Sequence, residues 1–86
     1  MTMTKLKGGI NNSNFYINKF FAFDRGRKVN QYIPMFKDKS LAKGNPLSKL
    51  TEAKSIISDW GDRLNFYKRT KRKGQIYFML KKYGMI

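Results

Sequence analysis

Residues 50–64 read LTEAKSIISDWGDRL and have the clearest periodicity in the chain. Their apolar side chains recur at the spacing of successive helical turns and therefore form one stripe along a helix. The stripe consists of Leu50, Ala53, Ile56, Ile57, Trp60 and Leu64. We predict an amphipathic helix that begins at Pro46 with Asn45 as its N-cap, with Ser48 as a competing N-cap, because Asn and Ser are good N-caps and Pro suits the first helical position. The sequence leaves open whether this helix ends at Gly61 or continues to Tyr67.

Two strands are predicted before this helix. Phe15 to Phe23 alternates in the manner of a strand, and a second strand follows from about Lys28 to Lys37. Between them, Asp24-Arg25-Gly26-Arg27 has the composition of a three-residue hairpin loop in which Gly26 takes a positive φ. Lys19 interrupts the apolar face of the first strand, which predicts a bulge near Lys19-Phe20.

The two ends of the chain complete the predicted fold. Residues 1–14 contain Gly8-Gly9 and show no periodicity, so we predict a flexible basic arm there. Gln75 to Leu80 alternates as a third strand would, but the same residues also fit a short helix that continues to Tyr83. The sequence thus predicts a single α+β domain over residues 15–86, with the order β-β-α-β. In this arrangement a small antiparallel sheet, made of the hairpin and a C-terminal strand, packs on one amphipathic helix.

The charge is the strongest indication of function. Nineteen Lys and Arg against five Asp and Glu give this 86-residue chain a net charge of +14. This charge produces a positive electrostatic field around the protein, which attracts polyanions. A nucleic acid is therefore the first expected partner and an acidic protein surface the second. Lys, Asn, Ile, Phe and Tyr are abundant and all have A/T-rich codons. A bacterial or phage genome that is rich in A and T therefore accounts for part of the lysine content.

The composition also limits the compartment. The chain has no Cys, which fits a reducing environment. Met1 to Gly9 is polar and basic, and no apolar region follows that would make it a signal peptide. No segment approaches the roughly 20 apolar residues of a membrane span. We therefore expect a soluble, cytoplasmic protein with no membrane partner, whose oligomeric state the sequence leaves open.

Catalysis has little support in the sequence. The chain has neither His nor Cys, and its carboxylates are Asp24, Asp38, Glu52, Asp59 and Asp62. Asp59 and Asp62 share one side of the predicted helix, where a pair of carboxylates could hold Mg²⁺. The better explanation is that they balance neighbouring Lys and Arg on a solvated face. We predict no enzyme, no cofactor and no metal site.

Basic clusters are the candidate binding residues. The densest cluster is the run from Lys68 to Lys73, and no acidic residue follows Asp62. The candidate phosphate-binding residues here are Lys68, Arg69, Lys71, Arg72 and Lys73, with Lys81 and Lys82 further along. Arg25, Arg27 and Lys28 form a second cluster at the predicted hairpin tip. Phosphate contacts of this kind make binding depend steeply on salt, although charged, solvated turns would have the same composition.

Three tyrosines are candidates for stacking on unpaired bases. Tyr16, Tyr32 and Tyr77 are predicted to line the face of the sheet opposite the helix, where aromatic side chains on a basic surface can stack on bases. The alternative is that they form a second small core, or that Tyr occurs there for its strand propensity.

Two functions remain. The first is a non-catalytic protein that binds DNA or RNA mainly through phosphate contacts. Its sequence preference would be modest, because contacts from Lys to phosphate fix the position of the protein on the nucleic acid more than they distinguish base sequences. A ribosome-associated RNA-binding protein would be a variant of it. The second is a small inhibitor or adaptor from a phage or mobile element, which docks on an acidic surface of a host protein or nucleoprotein complex.

Overall fold

A four-stranded antiparallel sheet precedes two helices along the chain. The computed structural model describes residues 3–86. The strands are β1 (Thr4–Lys7), β2 (Phe15–Asp24), β3 (Arg27–Phe36) and β4 (Lys39–Ser40), and the helices are α1 (Leu50–Thr70) and α2 (Gln75–Lys82). The strands lie side by side in chain order. The predicted α+β class is therefore confirmed, whereas the predicted order β-β-α-β is wrong.

The first strand lies within the segment predicted to be an arm. β1 pairs antiparallel with β2 and places Leu6 opposite Ile17, so Leu6 packs against the core. The sequence pattern places the first strand at Phe15 because four residues with one apolar side chain give almost no periodicity. Met1 and Thr2, the start of the predicted arm, lie outside the described residues.

β2 and β3 form one long, regular hairpin. Their pairing is continuous from Phe15–Phe36 to Asp24–Arg27. The predicted bulge at Lys19-Phe20 is therefore wrong, since Lys19 pairs directly with Tyr32. The loop has two residues rather than three, and both Arg25 and Gly26 take positive φ (53° and 77°), as expected for a type I′ turn.

α1 covers one end of the sheet with the predicted stripe. It begins at Leu50, one residue after Lys49, whose side chain makes no capping hydrogen bond. It continues past Gly61 to Thr70. The buried apolar side chains are Phe15, Ile17, Phe36, Leu41, Ala53, Ile57, Trp60, Leu64 and Leu80. The core thus lies between α1 and the end of the sheet where Phe15 and Phe36 meet edge to face, with ring centroids 4.8 Å apart.

The C-terminal segment is a helix, so the predicted strand at Gln75–Leu80 is wrong. α2 ends in a Schellman motif, in which the Met85 N–H donates to the Leu80 carbonyl and the Gly84 N–H to the Lys81 carbonyl. Gly84 takes the positive φ of 72° that this motif requires. Leu80 is fully buried while Phe78 is 64% exposed, a distribution that an alternating strand would not give.

Candidate nucleic-acid interface

The basic run occupies the end of α1 and the turn that follows it. Lys68 and Arg69 lie in the last turn of the helix, where the negative end of the helix dipole favours cations. Lys71 is left-handed (φ 56°) and donates its N–H to the Tyr67 carbonyl. The helix ends there, and the chain reverses before Gly74, the N-cap of α2.

Two tyrosines in contact lie among the lysines of this turn. The rings of Tyr67 and Tyr77 have centroids 5.5 Å apart and planes inclined by 37°. The Lys71 Nζ lies 5.7 Å from the Tyr67 centroid, and the Nζ atoms of Lys73 and Lys81 lie 6.0 and 5.8 Å from that of Tyr77. Such distances allow cation–π attraction. We call this region the helix-turn surface; its basic residues are Lys68, Arg69, Lys71, Arg72, Lys73 and Lys81. Lys82 lies at the other end of α2, where its carbonyl accepts a hydrogen bond from the Lys39 Nζ.

The second basic cluster is far from the first. Phe15 and Lys68 line the same surface depression, so the helix-turn surface adjoins the start of β2. The nine residue steps from Phe15 to the tip correspond to about 30 Å of extended strand. Arg25, Arg27 and Lys28, all exposed, therefore lie at the opposite end of a molecule whose longest dimension is 49 Å.

The three candidate stacking tyrosines do not form one platform. Tyr16 lies on the face of the sheet that faces away from α1, with the Lys5 Nζ 4.3 Å from its ring centroid. Its hydroxyl donates to the Lys37 carbonyl. Tyr32 lies on the opposite face and packs against the core, because it pairs with Lys19, and Lys19 and Tyr16 alternate onto opposite faces of β2. Tyr77 belongs to α2, so only Tyr16 occupies the predicted face.

Exposed phenylalanines are a feature that the sequence pattern does not reveal. Phe21 and Phe23 fall on the apolar face of β2 by their alternation, yet they are 42% and 77% exposed. Phe78 on α2 is exposed as well. Lys19 is the residue in the sequence that could have indicated this exposure, because it lies where α1 stops covering the apolar face of β2.

Basic residues occupy four unfavourable backbone positions. The non-glycine residues with positive φ in the described part of the chain are Arg25, Lys37, Lys43 and Lys71. A left-handed conformation costs roughly 1–2 kcal/mol for most residues, and Gly or Asn tolerates it better. Asn also has A/T-rich codons, so codon composition alone does not explain the choice of Lys and Arg there.

The carboxylates of the chain lie on its surface. Asp24, Asp38, Glu52, Asp59 and Asp62 are all exposed. Within residues 3–86, no group of three or more His, Cys, Asp or Glu side chains could hold a metal ion. Neither α1 nor α2 is both long and apolar enough to cross a membrane.

Fold and site together define an α+β protein with two separated basic ends. Comparison with known proteins finds no matching family model, no matching curated protein and no matching solved structure. Function is therefore inferred from the residues themselves.

Proposed function

We propose that this protein binds nucleic acid without catalysing a reaction, mainly through phosphate contacts made by the helix-turn surface. The observation behind the proposal is the way in which the segment after Asp62 folds. This segment contains eight basic residues and no acidic one, and it folds into the end of α1, one turn and α2. Charges that are spread along the sequence thus lie on one helical hairpin.

The side chains of this surface suit a polyanion. Lys71, Arg72 and Lys73 are exposed and close in sequence, so they can approach neighbouring phosphates of one strand. The hairpin tip, with Arg25, Arg27 and Lys28, supplies a second contact point at the other end. Basic residues at left-handed positions support the proposal further, because they indicate that charge is kept where another residue would be less strained.

Direct binding measurements test the proposal. Fluorescence anisotropy with a labelled 20-bp DNA duplex, a DNA single strand and an RNA of equal length gives the affinity at several salt concentrations. We expect the logarithm of the association constant to fall linearly with the logarithm of the salt concentration, since each neutralised phosphate releases counterions. Undetectable binding at low salt, or an affinity unchanged from low to high salt, would refute the proposal.

A second function has one specific observation in its favour. Phe78 and Met79 on α2 are 64% and 38% exposed and lie next to Lys81 and Lys82. A mixed apolar and basic surface fits an acidic surface of a host protein or nucleoprotein complex, as an inhibitor or adaptor would need. Stoichiometric recovery of one protein after nuclease treatment, abolished by Phe78→Ala, would favour this function over the first.

A further inference from the structure

The distal part of the β2–β3 hairpin extends beyond the helices. Along one face of β2, Phe15 and Ile17 are 2% and 0% exposed, whereas Phe21 and Phe23 are 42% and 77% exposed. The cover provided by α1 therefore ends near Lys19 and its partner Tyr32. Residues 20–31 continue as a two-stranded ribbon, which we call the distal ribbon.

One face of the distal ribbon combines aromatic, amide and cationic side chains. Pairing places Phe21 opposite Asn30 and Phe23 opposite Lys28, and all four residues are exposed. The Lys28 Nζ lies 3.6 Å from the Phe21 ring centroid. Phe23, the most exposed large apolar side chain in the described chain, has no such cover.

The charge around this face selects the partner. Arg25, Arg27 and Lys28 lie at the tip and Lys19 lies at the base, against the single carboxylate of Asp24. An apolar surface surrounded by cations complements a ligand that presents flat apolar groups between phosphates. Nucleic acid has this chemistry.

The shape of the ribbon favours a duplex over a single strand. A two-stranded ribbon fits the major groove of B-DNA, which is about 12 Å wide. In that groove an apolar side chain can contact the thymine methyl group, and Asn can hydrogen-bond adenine in a bidentate manner. Phe23 and Asn30 lie on the same face of adjacent strands, so one docking can place both against neighbouring base pairs.

We propose that the distal ribbon enters the major groove of duplex DNA with Phe23 and Asn30 facing A·T base pairs. This inference rests on the proposed function and adds direct reading of bases to it. Phe23 contacts thymine methyl groups, Asn30 contacts adenine, and Arg25 and Arg27 at the tip contact the flanking phosphates.

Replacing thymine by uracil tests the Phe23 contact, because it removes only the methyl group. The probes are a 20-bp duplex of A·T pairs, the same duplex with uracil in place of thymine, and a 20-nucleotide single strand. We expect the wild type to bind the thymine duplex about fourfold more tightly for each methyl group buried. Phe23→Ala removes this preference, while Phe78→Ala, the same substitution at another exposed phenylalanine on α2, retains it.

Asn30→Ala tests the amide contact. We expect it to weaken binding to the thymine duplex about tenfold, whereas Asn45→Ala, at an exposed position of the loop before α1, leaves the affinity unchanged. Circular dichroism of each variant verifies that the fold is intact.

The outcomes separate this inference from the proposed function. If the wild type binds none of the probes, the proposed function itself fails. If it binds both duplexes equally and Phe23→Ala binds like the wild type, the groove inference fails while the proposed function stands. A larger loss of affinity on the single strand than on the duplex would show that Phe23 stacks on unpaired bases, which contradicts insertion into a groove.

Discussion

Trp60 of α1 and Tyr83, the residue that follows α2, meet edge to face, with ring centroids 4.9 Å apart and planes inclined by 68°. The contact fixes the end of α2 against the middle of α1. The Lys39 Nζ adds a hydrogen bond of 3.4 Å to the Lys82 carbonyl at the same end. The acid-free part of the chain is thereby held as a helical hairpin and not as a tail.

Leu80→Ala should destabilise the protein strongly. Leu80 is fully buried, and truncating a buried Leu costs about 2–5 kcal/mol, because transfer free energy is forfeited and a cavity remains. Phe78→Ala should change the free energy of unfolding by no more than about 0.5 kcal/mol, because Phe78 faces solvent. Urea denaturation monitored by Trp60 fluorescence measures both. Equal destabilisation by the two substitutions would indicate that Phe78 and Leu80 are buried alike, which contradicts the helix.

Two glycines should respond differently to alanine. A Cβ at Gly8 would lie 3.0 Å from the Phe15 carbonyl oxygen and 3.1 Å from the Ile57 Cδ1. Gly8→Ala therefore requires the β2 backbone at Phe15 and the Ile57 side chain in the core to move away. Overpacking of this kind costs about 1–3 kcal/mol.

A Cβ at Gly61 would meet only the Cδ1 of Ile10, at 2.9 Å, and that atom is the end of a flexible side chain. Alanine also gains about 1 kcal/mol of helix propensity over glycine. Gly61→Ala should therefore be close to neutral in thermal unfolding. Destabilisation as large as that of Gly8→Ala would mean that Ile10 cannot move aside.

Lys71→Gly should make the protein more stable and a weaker binder. Glycine relieves the left-handed strain, which is worth about 1 kcal/mol, while removal of the ammonium eliminates one phosphate contact. Lys73→Gly is the control, because it removes the same charge at a residue without positive φ. It should weaken binding equally without the gain in stability. If Lys71→Gly leaves affinity intact, the side chain makes no phosphate contact.

The hairpin and α1 could be predicted because each has a long, consistent period and a recognisable turn or stripe. β1 and β4 could not, since they contain four and two residues and exist only through pairing with β2 and β3. For α2 the apolar pattern is ambiguous. Ile76, Phe78 and Leu80 suit a strand, whereas Ile76, Leu80 and Tyr83 suit a helix, and packing of Leu80 and Tyr83 into the core decides between them.

The candidate site shows a similar division. The basic clusters are visible as local runs of charge, so sequence alone locates them. Which side chains share a surface depends on tertiary geometry: Tyr67 meets Tyr77 only because α2 folds back. Phe21 and Phe23 follow the alternation of core residues. Their exposure could not be predicted, because the sequence does not reveal how far along β2 the helix α1 extends.

The central proposal, phosphate binding by the helix-turn surface, is tested most directly by the salt dependence of two matched triple variants. One variant replaces Lys71, Arg72 and Lys73 by Gln. The other replaces Lys7, Lys49 and Lys54 by Gln; these exposed residues lie in β1, directly before α1 and in its first turns. Both variants have the same net charge, so any difference between them reports position and not total charge.

We predict that, in anisotropy titrations on the DNA duplex, the first variant lowers the slope of log affinity against log salt by about 0.9 for each phosphate that it no longer neutralises. The second variant should keep nearly the wild-type slope. Equal slopes for the two variants would show that the charge acts only as a general field, and would contradict a binding site at the helix turn.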